Sequence, residues 1–325
     1  MSPWSNDSHG GSVNVGIGTR EIAVSPRASR SLRWTRVRKT APASSPRSVL
    51  MPDEQRFTES GVFDALRAAL APISDDGAPP AKQAPSRNRR AHIVLDDFWG
   101  NHAILRGDFR TLRTRDIDEI ARAHFVDTYG VDAEAIVVRA CVQRGGRALF
   151  ASALPRTLVD GIRETGTSAG VDVEALKLCL PEMLNRTLNR MPRANAMLVF
   201  AADALMQAVL IEAGHWIGYD AQRLFDGDAD DPVRIAALAE QAFEHCAEGS
   251  KTKRQDCALG LYGFDVDHAP LQAGFASVTA LASSVADAAN QTGDEAGNEA
   301  GNEAGNEAGD TTRPSFACRL LEYAQ

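Results

Sequence analysis

The stretch Ala91-His92-Ile93-Val94-Leu95-Asp96-Asp97-Phe98-Trp99-Gly100-Asn101-His102-Ala103-Ile104-Leu105-Arg106 decides the fold. Two short apolar runs flank a tight turn at Trp99-Gly100-Asn101, so residues 92–98 and 102–106 read as strands. The period then changes. Ile117, Ile120, Ala121, Phe125 and Tyr129 form one apolar stripe over residues 114–129, and Gly130 stands where a left-handed helix cap belongs. Residues 136–142 and 148–154 follow as a hairpin around Gly145-Gly146. Pro155 opens a helix that buries Leu158, Ile162 and Ala169 and stops at Gly170. A strand at 173–180 and a short helix at 182–191 complete the unit, a sheet covered by helices.

A second run of strands begins at Ala196. Residues 197–202, 205–211 and 215–219 are three short strands, with turns near Asp203 and at Ala213-Gly214. A helix over 232–246 buries Ile235, Leu238, Ala239, Ala242 and Phe243, and 257–264 reads as a last strand.

The flanks read differently. Residues 1–50 are rich in Ser, Arg, Pro and Gly and carry a net charge of +6. They are expected to form a disordered basic arm reaching to residue 56, because few apolar residues oppose the ordering entropy. On this reading Gly16-Ile17-Gly18 carries no weight, and Met51 is a candidate start. Residues 57–71 form a short amphipathic helix that must dock in this chain or on a partner, and 72–90 a Pro-rich linker. The core then divides into 91–192 and a shorter, truncated 193–290. Residues 291–314 hold an acidic Gly-Asn-Glu-Ala repeat, read as a linker, and 315–325 return as an edge strand or helix.

Composition narrows function by exclusion. Of 325 residues 44% are hydrophobic and 24% charged, which excludes collagen, disulfide scaffolds and wholly disordered chains. No run of about 18 apolar residues exists to span a membrane as a helix. Residues 91–325 carry a net charge of −14, so nucleic acid is not an expected partner of the folded body. The five cysteines include no C-x-x-C pair and, with His245 and His268, match no common zinc spacing. They are expected to be isolated, reduced thiols.

Searches for catalytic motifs return little. There is no Walker loop, no G-x-G-x-x-G, no G-x-S-x-G elbow and no H-E-x-x-H. Arg144-Gly145-Gly146-Arg147 reads as a solvated hairpin tip, and His215 as a packing residue. Four carboxylates stand out by position: Asp96 and Asp97 closing a strand, Glu119 on the following helix, and Asp203 at a turn. On a ribonuclease-H-like sheet such carboxylates can hold magnesium. They are the candidate nucleotide- or metal-binding residues, against a plainer reading as turn caps.

The run 93–99 leading into 102–105, the helix end at Phe125 to Gly130, and Ala148-Leu149-Phe150-Ala151-Ser152-Ala153-Leu154 carry a resemblance. So do 178–184 and the stretch from Ala196 to Val209 leading to Gly214-His215-Trp216. Over residues 91–225 the chain resembles actin-like proteins, and within them the assembly proteins of type IV pili and type II secretion, the PilM and GspL group. The resemblance implies an α/β fold of two actin-like, ribonuclease-H-like mixed sheets with flanking helices. It also implies a cytoplasmic, non-catalytic scaffold that binds the cytoplasmic peptide of an inner-membrane partner and needs no cofactor. The pattern of actin-like ATPases, Asp-x-Gly at the first turn, is replaced by Asp96-Asp97-Phe98-Trp99, and the second turn Ala201-Ala202-Asp203-Ala204 lacks Gly. ATP binding is therefore expected to be lost. The alternative is an actin-like ATPase or kinase, or a magnesium nuclease, using Asp96, Asp97, Glu119 and Asp203.

Overall fold

Strand β1 (Ser12–Ile17) lies at the centre of the first sheet, pairing with β2 (Glu21–Pro26) on one side and β4 (Arg89–Leu95) on the other. Strands β3 (Arg47–Leu50) and β8 (Val171–Leu178) complete the order β3-β2-β1-β4-β8. The computed structural model describes residues 12–27, 46–71, 89–187, 195–281 and 315–324.

The placement of β1 corrects the expectation of a disordered arm over 1–56. Val13, Val15 and Ile17 alternate with Asn14 and Gly16, the period of a strand. Val15 and Ile17 are fully buried against Ile22, Leu66 and Ile93. Six-residue strands suffice here because partners on both sides satisfy their backbone. Residues 1–11 and 28–45, and most of the expected linker, lie outside the described residues.

Helix α1 (Glu59–Leu70), capped by Thr58, packs with α3 (Arg156–Ser168) on one face of this sheet. The helix expected at 57–71 therefore docks within this chain, as part of the first lobe. The first lobe accordingly begins at Ser12 rather than at residue 91.

Between β4 and β8 the chain builds a three-stranded antiparallel sheet. Strands β5 (Asn101–Arg106), β6 (Ile136–Val142) and β7 (Ala148–Pro155) run in the order β5-β7-β6. Helix α2 (Thr114–Tyr129) covers it through Ala121 and Phe125, and Gly130 caps that helix with φ of 64°. Helix α4 (Cys179–Thr187) follows β8.

The second lobe repeats the first. Strands β9 (Ala196–Ala201), β10 (Leu205–Glu212), β11 (His215–Arg223), β12 (Ala258–Tyr262) and β13 (Ser277–Leu281) run in the order β11-β10-β9-β12-β13. Three antiparallel strands are thus followed by two parallel ones, as in the first sheet. The sheet is complete, not truncated as expected. The mostly exposed β13, with burial confined to Leu281 and partly Val278, left too weak an alternation to read. All six residues of β9 are buried. Met197, Val199 and Ala201 face helix α5 (Pro232–Cys246), and Ala196, Leu198 and Phe200 face the other lobe. A short helix α6 (Ala269–Gln272) adds Leu271 to the α5 side.

Helix α7 (Phe316–Tyr323) returns to the first lobe. Its Ala317 and Leu321 meet Ala23, while Leu320 and Tyr323 join α4 and β9 in the core shared by the lobes. Each buried Leu contributes about 1.5–3 kcal/mol. The helix lies so close to β1 that a Cβ on Gly16 would collide with the Ala317 carbonyl. The acidic repeat lies outside the described residues. No helix among the described residues is long and apolar enough to cross a membrane.

A chain of residues 51–325 lacks β1, β2 and β3, leaving β4 with one strand partner of two and α7 without β1 and β2. It is expected to show no cooperative thermal transition, whereas the full chain melts cooperatively. Circular dichroism melts of the two proteins make the comparison.

Candidate functional site

Two hairpin turns meet where the lobes face each other: Gly18-Thr19-Arg20 between β1 and β2, and Ala202-Asp203-Ala204 between β9 and β10. Thr19 is fully buried, and its hydroxyl donates to Asp203 Oδ2. Arg20 reaches the other Asp203 oxygen from 3.8 Å and donates to Asp226 at 2.9 Å. Phe57, held at φ of 60°, packs tilted at 57° against Phe98 with ring centroids 5.0 Å apart and takes the Arg223 guanidinium over its face at 5.5 Å.

This geometry corrects the assignment of the first turn. The run Asp96-Asp97-Phe98-Trp99 ends the fourth strand, not the first. Trp99 is buried, with its indole N–H donating to the Gly18 carbonyl at 3.2 Å. Its ring therefore supports the true turn and does not obstruct it. The overlooked Gly16-Ile17-Gly18 is that turn's approach. Spacing alone pointed to it, but the surrounding composition concealed it.

The four candidate carboxylates separate into different environments. Asp97 is buried, and all its capacity is taken by protein donors. Oδ1 accepts from His102 Nε2 at 2.8 Å, and Oδ2 from the Leu180 N–H at 2.8 Å and Gln207 Nε2 at 3.0 Å. His102 Nδ1 lies 2.8 Å from Ser152 Oγ, and the Tyr219 hydroxyl donates to Gln207 Oε1 at 3.1 Å. Asp96 is fully buried beside it. One oxygen accepts from the Phe98 N–H at 2.8 Å and the other has no hydrogen-bond partner. Burial holds this carboxyl at about 8 against an ordinary 3.8; the Phe98 N–H lowers it in part, and Asp97 and Asp203 raise it further. Asp203 lies at the lobe junction, as described. Glu119 is on the solvent face of α2, paired with Arg115 at 2.9 Å, away from the other three. Among the described residues no cluster of His, Cys, Asp and Glu has the arrangement of a metal site.

His102, Ser152, Gln207 and Tyr219 were not singled out from sequence. Gln207 alone gave a signal, a polar residue amid the apolar strand Leu205–Glu212. The Asp-His-Ser order resembles a hydrolase relay, yet Ser152 lies mid-strand in β7 with neighbours on both sides. The chain of bonds fastens β5 to β7 and to the Asp97 turn.

The network forms the floor of a cleft of about 750 Å3. Its two walls are strand edges. β5 ends the small sheet and β11 ends the second large sheet, and each is paired on one side only. Side chains already serve part of the β11 edge. The Gln143 amide donates to the Trp216 carbonyl and accepts from its N–H, both at 2.9 Å, and Arg106 donates to the Ile217 carbonyl at 2.8 Å. Beyond them residues 218–221 line the cleft opposite residues 100–104, closed in by His124 and Tyr129 of α2, His245 of α5 and Glu248 after it.

No protein-family model and no curated protein matches the chain. Solved structures do. A Bacteroides thetaiotaomicron protein of actin-like ATPase fold and unknown function aligns with a TM-score of 0.53 and 8% identity, over 86% of this chain and 94% of that one. The cytoplasmic domain of EpsL, an inner-membrane component of the Vibrio cholerae type II secretion system, aligns at 0.45 and 8%, over 97% and 94%. The PilM–PilN type IV pilus biogenesis complex aligns at 0.47 and 11%, over 83% and 88%. With two five-stranded sheets of one strand order, the chain has the actin-like fold.

His102→Ala strips a buried partner from Asp97 and is expected to cost about 3–5 kcal/mol in urea denaturation. Asp96 binds a proton in the folded state that the unfolded chain releases above about 4. Its contribution to stability is therefore fully present below pH 3.8 and lost as pH rises through about 8. Asp96→Asn is expected to flatten that fall, read as melting temperature against pH.

Proposed function

We propose that this chain is a non-catalytic cytoplasmic scaffold that captures an extended peptide in the cleft bordered by the strand edges of β11 and β5. The observation that carries the reading is the pair of one-sided strand edges facing each other across the cleft. A strand edge offers a row of backbone donors and acceptors, and an extended peptide satisfies them by strand addition. The cleft volume falls in the range of about 300–1,000 Å3 typical of ligand pockets. Gln143 and Arg106 mark where the addition ends, because their side chains already bond the edge at Trp216 and Ile217.

The sequence resemblance of residues 91–225 to pilus and secretion assembly proteins supplies the partner class, the cytoplasmic segment of an inner-membrane protein. The carboxylates favour binding over chemistry. Asp97 is spent on three protein donors, Glu119 is remote, and Gly16 stands where the ATPase pattern has its Asp.

The test is an array of short synthetic peptides from cytoplasmic segments of inner-membrane proteins, probed with the full chain. A bound peptide is expected to slow amide exchange at residues 218–222 and 101–104. Ala221→Trp, which fills the cleft from an exposed position, is expected to weaken binding at least about tenfold without lowering the melting temperature. Protection elsewhere, or binding indifferent to Ala221→Trp, overturns the site. A melting-temperature rise of several degrees with Mg-ATP overturns the non-catalytic reading.

A further inference from the structure

We propose that the segment captured in the cleft carries a basic and an acidic residue six positions apart, the basic one seated at Glu248 and the acidic one at Arg223. The inference rests on the peptide-capture reading and names the chemistry of the partner.

The cleft has two unlike ends. At one, Arg106 of β5 donates to the Ile217 carbonyl at 2.8 Å and to the Cys246 carbonyl at 3.1 Å. Glu248 follows Cys246 by two residues, is exposed, and has no ion-pair partner among the described residues. Asp220 adds a second acid. It accepts from Gln222 Nε2 at 2.9 Å and stands 3.4 Å from His245 Nδ1. Against these two acids the cleft lining offers one guanidinium, Arg106, so negative charge is in excess here.

At the other end Phe98, Leu205 and Ala221 line the cleft. Arg223, two residues further along β11, lies 5.5 Å over the ring of Phe57, which in turn packs on Phe98. The left-handed backbone of Phe57, φ of 60°, is a strained state for a residue with a β-carbon, and it is kept where the ring backs the guanidinium. The neighbouring acids are engaged elsewhere. Asp203 and Asp226 face Arg20, and Asp228 faces Arg234 at 3.7 Å. Arg223 is exposed and has no carboxylate partner among the described residues. A guanidinium resting on an aromatic face keeps its outer N–H groups for a carboxylate.

The spacing follows from the strand. Ile217, at the Arg106 end, and Arg223 are six residues apart on β11, about 20 Å of extended chain. An even spacing puts both charged side chains of an extended peptide on one face. A much shorter spacing reaches one end only.

The probes are two end-blocked synthetic peptides of one composition, alternating Val and Ser, with Lys and Glu six positions apart in one and two apart in the other. Fluorescence anisotropy with the full chain is expected to give at least about threefold tighter binding of the wide spacing. Arg223→Glu is expected to shift the preference to a wide-spaced peptide with Lys at both positions, and Glu248→Lys to one with Glu at both. Both side chains are exposed, so each variant is expected to keep the melting temperature. Equal binding of the two spacings, or charge reversals that leave the preference unchanged, overturns this inference and leaves peptide capture standing. Binding of none of the peptides, by native chain or variants, overturns both.

Discussion

The arrangement of the molecule hangs on one buried carboxyl. Asp97 accepts from Leu180 in the first lobe, His102 in the small sheet and Gln207 in the second lobe. The start of helix α4, the small sheet and the second large sheet thus converge on two oxygen atoms. Charged hydrogen bonds in a dry interior are short and directional, and each missing partner leaves a costly unsatisfied group. Apolar contacts hold the lobes together as well, through Val94, Leu198, Phe200 and Leu320, but such contacts tolerate sliding. The Asp97 bonds do not, and they fix which edge of the second sheet faces β5.

The two lobes share a plan and differ in what their first turns carry. Gly18-Thr19-Arg20 presents donors, and Ala202-Asp203-Ala204 presents an acceptor, so the turns complement each other and need nothing between them. Trp99 braces the first turn through the Gly18 carbonyl, and α7 closes over β1 at Gly16. The result is a junction tied across from both lobes, with one Asp96 oxygen and the Arg20 Nε left over. The strand edges at β5 and β11 are the reverse: partly served by Gln143 and Arg106 and otherwise left open.

From β4 to β12 the order of elements was legible because the signals were strong and local. Gly130 as a helix cap, Gly145-Gly146 as a hairpin and Asp231-Pro232 as a helix start each specify a backbone state without help from elsewhere. β1 to β3 were missed for the opposite reason. They are short, and their neighbours in sequence are Ser- and Arg-rich. Their stability comes from β4 and α1, dozens of residues away. Of the site, Asp96, Asp97 and Asp203 were visible as carboxylates at strand ends and turns. Their roles were not, because a role depends on donors such as Leu180, Gln207 and Thr19 that only the folded chain brings within reach.

The same network that closes the junction also shapes the cleft. Asp97, His102 and Tyr219 form its floor, so its width is set by bonds that span the lobes. A lobe rotation that broke the Gln207 bond would move β11 away from β5 and change the spacing between the two edges. Strand addition demands a spacing of about 4.8 Å between an edge and the added strand. An edge pair used in this way needs rigid support, and a buried carboxyl with three partners supplies it. The Thr19–Asp203 bond adds a second fixed point between the lobes. With both in place the lobes have little freedom to hinge, which suits a surface that must keep one shape more than a cleft that must open and close around a turning-over ligand.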